Sequence, residues 1–82
     1  MTDEQIWEAI ERETGTKRPA VVTVEEFGDI FRLSRPTAYR EVSRGSVRSI
    51  RTAGTIRIPV SEVFRRFREA EALPEVPKAK AQ

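Results

Sequence analysis

Two helix-start signals, at Thr23 and Ser34, leave the middle of this chain little freedom. Thr23 is followed three residues on by Glu26, a reciprocal pairing in which each side chain satisfies a backbone N–H that a helix start leaves free. Val22, just ahead of the cap, is placed to staple onto Phe27. Ser34 is the next cap, and Pro36 falls in the first turn behind it, where a missing N–H costs nothing because it has no intrahelical acceptor. The helix begun at Thr23 must therefore stop after about two turns. It buries Val24, Phe27, Ile30 and Phe31 and leaves Glu25, Glu26 and Asp29 in water. The helix begun at Ser34 runs to Arg44 and turns Ala38 and Val42 inward. Gly45 ends it, since glycine takes the left-handed conformation without strain. Two short helices joined by a tight turn make a helix-turn-helix.

Beyond Gly45 the hydrophobic period changes from helical to alternating. Ile50, Thr52, Ile56 and Ile58 are expected on one face of a β-hairpin and Arg51 and Arg57 on the other, with Ala53-Gly54 as a two-residue turn. Val47 does not fit that parity and is expected ahead of the strand, as a separate core contact. Pro59 ends the second strand, and Ser61, Val63, Phe64 and Phe67 predict a helix over 60–72 with Arg65, Arg66 and Arg68 outside. At the other end of the chain, Thr2 and Gln5 repeat the capping pattern for a helix over 2–14, with Ile6, Trp7 and Ile10 on one face and Gly15 as its end. Residues 16–19 read as a linker. Residues 73–82, with Pro74, Pro77, Lys78 and Lys80, read as a disordered tail. The expected fold class is mainly α with a small β-hairpin. It is a winged helix-turn-helix over 21–72, with a two-stranded wing and a C-terminal helix, preceded by a short acidic N-terminal helix and linker over 1–20.

Eighty-two residues hold one core and no second. With 38% hydrophobic and 34% charged residues, the chain is expected to fold around a thin core under a heavily charged surface. Neither cysteine nor histidine is present, which removes disulfides, the main zinc ligands and the commonest general base. No enzymatic activity, cofactor, metal or small-molecule substrate is expected. No apolar run approaches the ~20 residues that span a bilayer. Met1-Thr2-Asp3-Glu4 lacks the basic and apolar regions of a signal peptide, so a cytoplasmic location and no membrane partner are expected.

A net charge of +2 says little by itself, but its distribution is uneven. Residues 1–14 set Asp3, Glu4, Glu8, Glu11 and Glu13 against Arg12, a net −4. Residues 32–57 set Arg32, Arg35, Arg40, Arg44, Arg48, Arg51 and Arg57 against Glu41, a net +6. All seven are arginine, whose fork matches phosphate and guanine edges where lysine offers a point charge. Placed on the expected fold, they gather on two elements that can meet one duplex. Arg35 and Arg40, near the start of the second helix of the pair, are candidates for reading bases in a major groove. Ser34, Pro36, Thr37, Tyr39 and Ser43 lie on the same helix start or its open faces, with Thr37 and Tyr39 suited to phosphate or thymine methyl groups, and Arg44 is suited to the DNA backbone. Arg48, Arg51, Thr55 and Arg57 belong to the wing and its approach and can reach an adjacent minor groove or its phosphates. The competing explanation for such a basic run is an ordinary solvated surface. Glu25, Glu26 and Asp29 read as solubilising, Trp7 as a core residue or an interface anchor, and Tyr39 alternatively as half-buried packing.

The stretch Val22-Thr23-Val24-Glu25-Glu26-Phe27, followed by Leu33-Ser34-Arg35-Pro36-Thr37-Ala38-Tyr39-Arg40, resembles the excisionase and MerR-like winged helix-turn-helix family. The resemblance continues through Gly45, Ile50-Arg51 and Ile56-Arg57-Ile58-Pro59 into Ser61-Glu62-Val63, and spans roughly residues 21–69. It implies a domain that reads a major groove with its second helix and a minor groove with its wing. Members are phage or mobile-element excisionases, which bend DNA and assist an integrase, or transcription regulators. The wing tip departs from the family, having Ala53-Gly54-Thr55 where a glycine followed by basic residues is common. A single module of this size covers about 600–1,000 Å² of DNA, so cooperative self-association on tandem sites is expected, with the acidic N-terminal segment meeting a basic surface of the next copy. A non-enzymatic protein-interaction module that holds an acidic partner is the alternative from another class.

Overall fold

The computed structural model describes residues 1–72, and its helices begin at the caps just named. Thr2 caps α1 (Asp3–Thr14) in a reciprocal box with Gln5, and Gly15 closes that helix at φ 70°. Thr23 and Glu26 build the same box at the start of α2 (Val24–Phe31). Ser34 caps α3 (Arg35–Arg44), and Gly45 ends it at φ 83°. The turn between α2 and α3 is tight because Arg32 itself is left-handed, at φ 57°, and the Leu33 N–H returns to the Gly28 carbonyl at 2.7 Å. Helix α4 (Val60–Ala72) follows the last strand without a loop. The expected disordered tail lies outside the described residues. Among those residues, no helix is long and apolar enough to cross a membrane.

Strands β1 (Val21–Thr23), β2 (Ile50–Thr52) and β3 (Thr55–Pro59) form one antiparallel sheet in the order β1-β3-β2. Two expectations are corrected here. The sheet has three strands where a two-stranded wing was expected, because Val21 and Val22 pair with Pro59 and Ile58. Three residues carry too little alternation to announce a strand, and only the distant partner makes β1 one. The second correction concerns Arg51 and Arg57, which stand on opposite faces of the hairpin. Directly opposed residues of an antiparallel pair share a face, and the register is Ile50↔Arg57, Arg51↔Ile56 and Thr52↔Thr55. A two-residue loop therefore swaps odd and even positions between the strands. Arg57 stands with Ile50 and Thr52, and Arg51 with Ile56 and Ile58. Ile58 is fully buried and Ile56 half-buried, whereas Ile50 is 45% exposed. The turn is as expected, with Ala53 at φ 52° and Gly54 at φ 79°, the double left-handed geometry that matches strand twist.

One core joins all the helices to the buried face of the sheet. It contains Ile6 and Ile10 of α1, Val24 and Phe27 of α2, Ala38 and Val42 of α3, Val22 and Ile58 of the sheet, and Val60 and Val63 of α4. Val47 is buried ahead of β2, where the sequence placed it, but it belongs to this same core and is not a separate contact. Trp7 packs edge-on to Phe64 at 5.2 Å, and Phe31 bridges Phe27 and Phe67 at 5.1 and 4.8 Å. Helix α1 is thus part of the same core as residues 21–72. The linker behind α1 is tied to the start of α4, since the Val60 N–H donates to the Ala20 carbonyl just before β1. Two surface assignments change. Glu25 and Glu26 are half-buried instead of standing in water, and Arg66 is drawn inward, its guanidinium over the Phe27 ring and 2.7 Å from Glu41.

Candidate nucleic-acid interface

Helix α3 buries Ala38 and Val42, and the 100° step between residues then fixes what it shows to solvent. Pro36, Arg40, Ser43 and Arg44 lie along the outward face and are exposed. Thr37 flanks them on one side, Arg35 and Tyr39 on the other. Ser34 is spent on local structure, because its hydroxyl accepts the Thr37 N–H and donates to the Thr37 hydroxyl at 2.8 Å. Glu41, the one acid of α3, turns toward α4 and binds Arg66, with Arg44 at the 4.0 Å limit. The Arg66 hydrogen bond holds the Glu41 carboxyl below the ordinary carboxylate range. Arg40 keeps an exposed guanidinium with no carboxylate in ion-pair range among the described residues.

The inner edge of this surface is organised by Glu25. One of its oxygens, Oε2, accepts the Tyr39 hydroxyl at 2.8 Å and lies 3.1 Å from Nη2 of Arg35. The Arg35 guanidinium also covers the Tyr39 ring at 5.8 Å. The Tyr39 hydrogen bond, aided by the backbone at Glu25 and the charges of Arg35 and Arg57, holds the Glu25 carboxyl below its ordinary range. Arg57 arrives from the sheet, where it pairs with Thr23, two residues before Glu25. The start of α3 and the outer face of the hairpin are thereby brought to one place. This convergence was invisible in the sequence, since it depends on β1.

The rest of the hairpin is held from below. Glu62 of α4 is buried, accepts the Arg48 N–H at 3.1 Å, and is gripped by Arg65 at 2.7 Å. Arg65 also donates to the Ser46 carbonyl and pairs with Glu69. These hydrogen bonds keep the Glu62 carboxyl below its ordinary range. The chain between α3 and β2 is thus tied to α4 through one carboxylate. Glu62 and Arg65 were missed as contributors to this surface; the sequence signal was Glu62 in the first turn of α4 three residues before Arg65, the spacing of a helical ion pair.

The side chains of Arg48 and Arg51 are exposed, with no ion-pair partner among the described residues, and Thr55 is exposed beside the turn. Among the described residues, the Arg57 side chain bonds only to the Ile56 carbonyl of its own strand, at 3.2 Å. Arg51 projects from the other face, so the two hairpin arginines cannot grip a single phosphate row from one side. Four carboxylates of α1 are engaged elsewhere: Asp3 pairs with Arg68, Glu4 with Arg18 at 2.6 Å, Glu13 with Arg12 at 3.7 Å, and Glu11 accepts the Arg18 N–H. None of them neutralises an arginine of α3 or of the hairpin among the described residues. No protein-family model, curated protein or solved structure matches the chain.

Proposed function

We propose that the chain is a sequence-specific binder of double-stranded DNA with the winged helix-turn-helix architecture. Within that class we propose an excisionase, which binds and bends attachment-site DNA cooperatively and directs an integrase. The observation that carries the DNA-binding part is the outward face of α3, where Arg40 and Arg44 stand exposed, together with a hairpin whose Arg57 lies beside the start of α2 and acts on the same Glu25 that Arg35 of α3 pairs with. A helix of ten residues with a free arginine at the centre of its open face fits a major groove, and Arg40 can bond bidentately to guanine O6 and N7. Arg44, Arg48 and Arg51 suit the phosphates on either side. The excisionase assignment rests on the motif resemblance. No catalytic step and no cofactor belong to this function.

The test is a fluorescence-anisotropy titration of a random duplex about three helical turns long, at several salt concentrations. The wild type is expected to bind with an affinity that falls steeply as salt rises, because each phosphate contact releases counterions. At a duplex selected by the wild type from a randomised pool, Arg40→Ala is expected to cost about 1–3 kcal/mol and to relax sequence preference. Absence of binding to any duplex at low salt would leave a protein-interaction module as the better description.

A further inference from the structure

We propose that Arg35 and Tyr39, with Arg57 beside them, form a seat for one DNA backbone phosphate, and that Glu25 fills this seat in the free protein. The inference rests on the DNA-binding function above and changes the role of Arg35 from base reading to phosphate holding. Its basis is geometric. Two donors from successive turns of α3, the Arg35 guanidinium and the Tyr39 hydroxyl, converge on a single carboxylate oxygen at 3.1 and 2.8 Å. That is how a phosphate oxygen is held, by a charged fork and a hydroxyl at once. The sheet adds a second cation, since the Thr23↔Arg57 pairing sets Arg57 next to the start of α2. All of these groups remain in reach of solvent: the side chains of Arg35 and Glu25 are 72% and 42% exposed, and Tyr39 is 36% exposed. An incoming phosphate can therefore displace the carboxylate without unpacking the core. The carboxylate acts as an internal competitor. It weakens the grip on every duplex to the same degree, because the phosphate it competes with is common to all sequences.

The experiment compares wild type, Glu25→Gln, Arg35→Ala and the double variant on a random duplex over a salt series, with a thermal melt of each. Glu25→Gln keeps an acceptor for Tyr39 but removes the charge that competes with phosphate. It is expected to bind the random duplex about three- to ten-fold more tightly. Its plot of log affinity against log salt should be steeper by about one, because one cation of the seat is no longer neutralised in the free protein. The gain should vanish in the double variant, and Arg35→Ala alone should weaken selected and random duplexes to the same degree. If Glu25→Gln is as stable as wild type but binds no tighter, with an unchanged salt slope, the seat is wrong and the DNA-binding function stands. A gain that survives Arg35→Ala also overturns it. If wild type binds no duplex, both fall together. Should Glu25→Gln melt below the assay temperature, Glu25→Ala, which removes the same charge, makes the same discrimination.

Discussion

Gly28 is the residue on which the crossing of α2 and α3 depends. A Cβ there would stand 3.2 Å from the Ala38 Cβ and 3.2 Å from the Leu33 carbonyl oxygen, and neither neighbour is the loose end of a flexible side chain. Alanine gains up to about 1 kcal/mol of helix propensity over glycine, while overpacking of a close contact costs about 1–3 kcal/mol. The second effect is the larger, so Gly28→Ala is expected to lower stability by about 1 kcal/mol, read as a drop of several degrees in the thermal midpoint. Glu62 supplies a prediction in pH. Its carboxyl is held below the ordinary range by Arg65 and the Arg48 N–H, and Glu25 and Glu41 are shifted in the same direction. The unfolded chain thus takes up protons first, and the stability these groups contribute is fully present above the ordinary glutamate value of about 4.3. It is lost as pH falls through the lower folded values. Urea melts from neutral pH down to pH 3 should show that acid limb, and Glu62→Gln should flatten it while lowering stability at neutral pH. An acid limb as steep in the variant as in wild type would remove Glu62 from the account.

At the scale of elements, the hairpin is the least protected part, since every residue of β2 is exposed. Its turn places Ala53 at φ 52°, a conformation that costs a non-glycine residue about 1–2 kcal/mol. Asparagine tolerates that region, and Asn-Gly is the favoured pair for this turn. Ala53→Asn is therefore expected to stabilise the protein by about 0.5–1 kcal/mol, measured as a higher urea midpoint at constant slope. It should leave DNA affinity unchanged, because the tip carries no basic side chain. The helices were legible to within a residue, since a cap is local chemistry: Thr2, Thr23 and Ser34 begin the helices they announce. Strand β1 was not legible, and neither was the facing of Arg51 and Arg57, because both follow from register between segments that only the folded chain brings together.

For the whole molecule, the chief consequence of the shared core is that the acidic N-terminal helix cannot be treated as an appendage. Ile6 and Ile10 are fully buried, and Trp7 covers Phe64. Burying side chains of this size contributes roughly 1.5–3 kcal/mol each, and a domain of this size has only about 4–12 kcal/mol in total. A chain starting at Val21 is expected to lose cooperative unfolding and dispersed amide signals, as circular dichroism and NMR would show. A well-dispersed spectrum from that truncated chain would mean that residues 21–72 carry a sufficient core by themselves. Any test of self-association through α1 must for the same reason use surface charges, such as Glu8 and Glu13, which are exposed.

From its residues alone the chain determined where helices start and stop, the two-residue turn at Ala53-Gly54, and which apolar side chains of the helices turn inward, because caps, turns and periodicity are interactions within a few residues. The set of exposed arginines on α3 was equally legible, since the helical step fixes the face once Ala38 and Val42 are known to be inside. Only the tertiary structure decided the rest: the third strand, the placement of Arg57 beside Glu25, the capture of Arg35 and Tyr39 by that carboxylate, and the tie from Glu62 to Arg48. Each of these joins groups far apart in the chain, and their separation in space is set by how the core packs.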